Sequence, residues 1–248
     1  MDALSFYILS VIFIATLVRS SFGFGESLVA VPLLALKIPI EVAVPLSVLL
    51  SVTVAGVVVV QDWKKIHIRS AGWLLVYTLF GIPPGLILLT SGDEGMVKAA
   101  LGVLIIAFSA YSLAGRKSIK IKANSKVWLF GCGFSAGVFG GAYGLNGPPL
   151  VVYGALRQWS AQHFRATLQG YFLPASFLGM AGYWLAGLWV PLVTHYYLIS
   201  LPVVIPAIFL GRAINSRMHG DSFLKFIYIG LLAIGAVLLA QSLSGLSG

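Results

Sequence analysis

The chain has 248 residues, 59% of them hydrophobic and only 9% charged, whereas an ordinary soluble domain carries about 25% charged residues. Sixteen Lys and Arg with seven Asp and Glu cannot cover a water-facing surface of this size, so the composition excludes a soluble globular protein and points to an integral membrane protein. The single cysteine, Cys132, excludes an internal disulfide framework and cysteine-based metal or iron–sulfur sites.

Charge-free runs measure the membrane segments, since a bilayer core of about 30 Å takes roughly 20 apolar helical residues. They fall at 3–18, 27–36, 42–61, 70–92, 99–115, 127–156, 166–211 and 226–248. Four have the length of one span. The run 166–211 holds two spans, divided near Gly187–Pro191. The run 127–156 is too long for one span and is interrupted by the Gly-rich stretch 140–149. The run 27–36 is too short to cross and follows Gly23-Phe24-Gly25. No segment alternates in polarity as a barrel strand would. The expected class is therefore an all-α integral membrane protein of 8–10 membrane segments, and with Met1-Asp2-Ala3 at its start no cleaved signal peptide is expected.

The basic residues set the orientation. Lys64, Lys65 and Arg69 share one connection; Arg116, Lys117, Lys120, Lys122 and Lys126 share the longest. Arg157 and Arg165 flank a third, and Arg212, Arg217 and Lys225 a fourth. The alternate connections carry little beyond Lys37 and Lys98. The positive-inside rule puts the rich connections in the cytoplasm, which accounts for the net charge of +9 without a nucleic-acid partner. Both termini are then expected outside the cell membrane, and the two halves run in opposite senses. Trp63, Trp73, Trp128, Trp159, Trp184 and Trp189 fall near the expected interfaces and read as belt anchors.

A repeat is visible within the chain. Residues 22–33 (FGFGESLVAVPL) align without gaps on 139–150 (FGGAYGLNGPPL) at an offset of 117, with Phe, Gly, Leu, Pro and Leu identical. Together with the charge-derived inversion this gives an expected plan of two inverted repeats, 1–114 and 127–248, in a single transmembrane domain with a cytoplasmic linker at 115–126. Each repeat holds a first helix (3–19; 127–139), a Gly-rich break, a short helix (27–37; 147–156) and three full spans. The first and short helices form either a re-entrant hairpin or two spans, one of them short. Short Gly/Pro-interrupted segments at matching positions of inverted halves are the architecture of secondary transporters.

On these residues the chain resembles the sulfite exporter TauE/SafE family, also called the toluene-sulfonate uptake permease family. The resemblance covers essentially the whole chain and is most specific at 21–34 and 134–153. It implies transport of small sulfur oxyanions or organosulfonates, such as sulfite or sulfoacetate. Glu26-Ser27 depart from the family pattern, standing where further glycines are expected.

The breaks carry the candidate site. A helix that starts inside the membrane presents unpaired N–H groups and a positive dipole end, which suits an anion. The candidates are Gly23, Gly25, Ser27, Gly140, Gly141, Tyr143, Gly144, Asn146 and Gly147, converging near the midplane; the glycines read alternatively as helix-packing residues. Arg19 reads as a fixed charge for an anion or as a snorkelling end residue, and Glu26 as a proton carrier or as a first-turn acid on the helix dipole. Gln169 reads as a ligand for a sulfonate oxygen or as an interhelical hydrogen bonder. His195 reads as an interface contact or a proton relay. No pair among His67, His163 and His219 has metal-ligand spacing.

The expected activity is ion-coupled alternating access without a cofactor, with a small anion and the lipid bilayer as partners. A passive anion channel on the same scaffold is the alternative. A membrane-embedded enzyme finds no supporting motif, and whether the chain forms homo-oligomers is open.

Overall fold

The computed structural model describes residues 3–62, 68–114, 126–157, 161–217 and 221–245. Lys64, Lys65, His67, His219, Trp63, Trp159 and the basic stretch 115–125 lie outside the described residues, as do the side chains of His163, Arg165 and Gln169. The described elements are ten α-helices: α1 (Ala3–Phe22), α2 (Glu26–Leu34), α3 (Ile40–Asp62), α4 (Ile68–Ser91), α5 (Glu94–Leu113), α6 (Lys126–Tyr143), α7 (Gly147–Leu156), α8 (Ala161–Leu185), α9 (Pro191–Arg217) and α10 (Asp221–Gly245). Windows within α1, α3, α4, α5 and α9 are long and apolar enough to cross a membrane. Together these make an all-helical, multi-pass membrane protein.

Two helices are short. At 1.5 Å per residue, α2 with nine residues and α7 with ten are only about 14–15 Å long, half a bilayer core. Every residue of α2 except Leu33 is buried. A helix apolar on all sides belongs in an interior, and α1 and α3 pack against this one.

The breaks are tighter than the sequence suggests. α1 runs on to Phe22 and α6 to Tyr143, leaving three non-helical residues each, Gly23–Gly25 and Gly144–Asn146. Gly140, Gly141 and Tyr143 are therefore helical residues of α6, which corrects their assignment to the second break. From α8 the Tyr183 hydroxyl is within donating distance of the carbonyl oxygens of Gly140 (2.6 Å) and Gly141 (2.9 Å), adding a partner in the last turn of α6, where backbone acceptors begin to lack helical donors. The breaks correspond at an offset of 121 (Gly23 to Gly144) rather than 117, one helical turn later. Each opens with the same bond, Gly23 N–H to the Arg19 carbonyl and Gly144 N–H to the Gly140 carbonyl. Gly25 at φ 98° and Gly144 at φ 66° hold left-handed backbone that a Cβ would strain.

Packing links the two halves of the chain crosswise. α1 packs on α9 and α6 on α4; α3 lies against α8 and α5 against α10. In lipid no hydrophobic gain drives helices together, so close van der Waals packing of small residues takes over. The α4–α6 seam shows it most fully. A Cβ on Gly81 or Gly85 would overlap the backbone of α6 near Phe134–Ala142, and one on Gly137 or Gly141 the backbone of α4. Gly102 and Gly235 meet reciprocally between α5 and α10, and Gly211 of α9 lies on Leu17 and Ser20 of α1. Phe6, Trp73, Phe80, Ile87, Trp184 and Phe209 are exposed, as lipid-facing residues would be.

Candidate functional site

The two breaks meet in one small cavity. Its lining includes Arg19, Phe24, Gly25, Glu26 and Ser27 from the first half, Gly144, Asn146 and Gly147 from the second, and Ser51 and Phe172 from the long helices α3 and α8. A Cβ on Gly144 would stand 3.5 Å from the Ser27 hydroxyl, and one on Gly147 3.9 Å from the Phe24 ring. Ser51 is the middle residue of α3, so the cavity lies at half the height of that span. Its volume is about 20 Å³, room for a single water.

Arg19 dominates the electrostatics. It is 5% exposed and does not snorkel. Its Nη1 lies 3.2 Å from Glu26 Oε2 and donates to the Ser51 hydroxyl at 2.5 Å. Its guanidinium stands over the Phe172 ring, 4.9 Å from the centroid, where the ring face favours a cation. Nη2 is buried with no hydrogen-bond partner among the described residues. Glu26 is 2% exposed and opens α2, so the helix dipole also favours its negative charge. Two like charges 4 Å apart repel by about 4 kcal/mol at an effective dielectric near 20. A second anion therefore cannot join an ionised Glu26 here without cost.

The polar remainder is held by α3 and α8. Ser47 donates to the Ser27 hydroxyl at 3.0 Å. The Asn146 amide donates to the Tyr171 hydroxyl at 3.4 Å, and Tyr171 shares a 2.7 Å hydrogen bond with Thr78. The Asn146 side chain occupies space that α6 leaves at Gly140, where a Cβ would overlap its amide.

The half-helix N-termini are unequal. The first turn of α2 carries N–H groups on Glu26, Ser27 and Leu28. That of α7 begins Gly147-Pro148-Pro149, and proline has no N–H. Only Gly147 keeps a donor among these three.

Of the residues expected from sequence, Arg19, Gly25, Glu26, Ser27, Gly144, Asn146 and Gly147 line the cavity together. Gly23 lies in the first break but not in the lining. Gly140 backs Asn146, Gly141 packs on α4, and Tyr143 points its hydroxyl at the Val97 carbonyl (3.1 Å) on α5. Gln169 falls on α8 with its side chain outside the description. Ser47, Ser51, Tyr171 and Phe172 were not singled out. The signal was there for Tyr171, a polar ring inside an apolar run; single serines in such runs are too common to mark a site. Among the described residues no three His, Cys, Asp or Glu are grouped to hold a metal ion.

A family model described as "Sulfite exporter TauE/SafE" matches residues 8–239. The chain belongs to this family. Its members are membrane transporters, which makes the present chain a membrane transporter by descent and accords with a non-enzymatic role. Comparison with curated proteins returns no match, and comparison with solved structures returns none.

Proposed function

We propose that this TauE/SafE chain is a secondary transporter of a small sulfur oxyanion, sulfite or an organosulfonate, bound between the two breaks near the midplane and moved by ion-coupled alternating access. The observation that carries the reading is Arg19: a buried guanidinium level with the middle of α3, with one nitrogen unpartnered among the described residues, in a cavity that both breaks line. An ionisable side chain at this depth marks a functional site, and a guanidinium fork fits oxyanions. The N–H groups opening α2, the Ser27 and Ser51 hydroxyls and the Asn146 amide supply further donors. Family membership supports the sulfur oxyanion as the class of substrate.

The crosswise packing of the halves and the matched breaks support two inverted repeats, 1–114 and 127–248, each with a re-entrant first hairpin. The basic connections support a cytoplasmic 115–126 linker in the cell membrane with both termini outside. Labelling a cysteine placed at position 120 from each side of sealed vesicles tests the orientation; labelling from outside would reverse it.

The functional test is sulfite counterflow in proteoliposomes, normalised to folded protein. Wild type should exchange sulfite and Arg19→Gln should not. Transport by Arg19→Gln near the wild-type rate would remove Arg19 from the site. A reversal potential indifferent to the proton gradient would favour a passive channel.

A further inference from the structure

We propose that Glu26 is an internal anion that holds the substrate's place on Arg19, and that each anion entering the cavity displaces it and leaves it carrying one proton. The inference rests on the anion-site reading of the cavity and adds the coupling ion and its carrier.

Geometry makes the two anions competitors. Glu26 Oε2 takes one face of the Arg19 fork at 3.2 Å, while the cavity beside it has room for about one water. A sulfur oxyanion has at least four heavy atoms. It reaches the guanidinium only when something retreats, and the Phe24 and Phe172 rings that share the lining offer it no hydrogen bond in exchange. The Glu26 side chain, with its rotatable bonds, is the polar group that yields.

Charge makes the exchange proton-linked. Arg19 is the one cation facing Glu26 among the described residues. From α3 the facing group is Ser51; Ser27, next to Glu26 on α2, and Asn146 of the second break share the lining, and none of them carries a charge. On α1, Tyr7 bonds the Leu33 carbonyl at the far end of α2. On α5, Glu94 and Lys98 pair with each other. On α10, Tyr228 packs on Phe108, while Asp221 and Lys225 lie at that helix's start with side chains outside the description. A bound monoanion beside an ionised Glu26 would leave two negative charges on one buried cation. A proton from the aqueous phase, added to the displaced carboxylate, restores the balance. Before binding, Arg19 and Glu26 sum to zero; afterwards Arg19 and the anion do, with Glu26 neutral. One monoanion and one proton then move together, and no net charge crosses.

Titration calorimetry on the purified full chain, in two buffers of different protonation enthalpy, counts the protons. Methanesulfonate is the probe because it stays a monoanion across the working range; sulfite is run beside it with its own ionisation subtracted. Wild type should take up one proton per anion, and its affinity should weaken about tenfold per pH unit above the carboxyl's own titration. Glu26→Gln should bind with no proton uptake and a flat pH profile. Should that variant not fold, the wild-type proton count and slope decide the matter alone. Wild-type binding without proton uptake would overturn the exchange and leave the anion site standing. Failure of wild type to bind either anion would overturn the anion site itself, and the exchange with it.

Discussion

Arg19 and Gly140 stand at the same place in their halves, four residues before the first unwound glycine, and each carbonyl accepts from that glycine's N–H, Gly23 in one half and Gly144 in the other. Gly25 and Asn146 likewise both close their breaks. Side-chain bulk has been traded between the two positions. The first half keeps a long cation at the helix end and a bare glycine at the break. The second keeps a bare glycine at the helix end and lays the Asn146 amide into the space it frees. Backbone donors differ in the same direction, because Pro148 and Pro149 strip N–H groups from α7 while α2 keeps them. The site is thus built on a near-symmetric backbone with asymmetric chemistry: one half supplies charge and N–H donors, the other a neutral amide. The substrate binding proposed above would then rest mainly on the first half.

The comparison predicts its largest effect at the charged break. Removing one partner of a buried ion pair costs about 3–5 kcal/mol, so Arg19→Gln should lower unfolding stability in detergent by that order. The double variant Arg19→Gln with Glu26→Gln should recover most of the loss without recovering transport. Equal stability of Arg19→Gln and wild type would show the pair to be no structural asset, and the contrast between the halves would weaken. Next comes the neutral break. Gly140→Ala places a Cβ on the Asn146 amide, and overpacking of this kind costs about 1–3 kcal/mol. Adding Asn146→Ala should relieve it, so a double-mutant cycle on unfolding should be strongly non-additive. Additive behaviour would mean that the amide does not depend on the space at Gly140.

Much of this was legible in the sequence, and what was not has a physical reason. Arg19, Glu26 and Asn146 stand out because charge and a lone amide are costly at this depth, and the glycine runs locate both breaks to within a turn. The end of α6 was not legible. Gly140-Gly141 reads as non-helical by propensity, whereas in the fold the helix meets tertiary contacts there: the Tyr183 hydroxyl, more than 40 residues on, and the close α4 backbone at Gly141. The gap-free alignment slipped one turn for the same reason, matching Phe-Gly at a helix end in one half to Phe-Gly inside a helix in the other. Ser47 and Ser51 acquire meaning only once α3 is laid beside the breaks.

The smallest expected effect is a gain. Pro148→Ala returns an N–H to the opening turn of α7, and one added hydrogen bond contributes about 0.5–1.5 kcal/mol. Anion affinity, read by calorimetry, should tighten by a few fold. A weakened affinity would mean that the proline serves the shape of the second break more than its missing donor harms it.

The glycine seams also decide what can move. Along α4 and α6 the backbones themselves are in contact, with Gly81 and Gly85 set into Gly137 and Gly141, and Gly211 joins α9 to α1 in the same manner. Such surfaces leave no side chain to re-pack, so neither pair can slide without a backbone collision. Each seam binds a helix of one half to a helix of the other. Two sequence halves tied together in this way cannot rock past one another as separate blocks. Under the alternating-access cycle proposed above, the rigid bodies would be the cross-half pairs, α1 with α9 and α4 with α6, and access would alternate through motion between pairs rather than between the two halves.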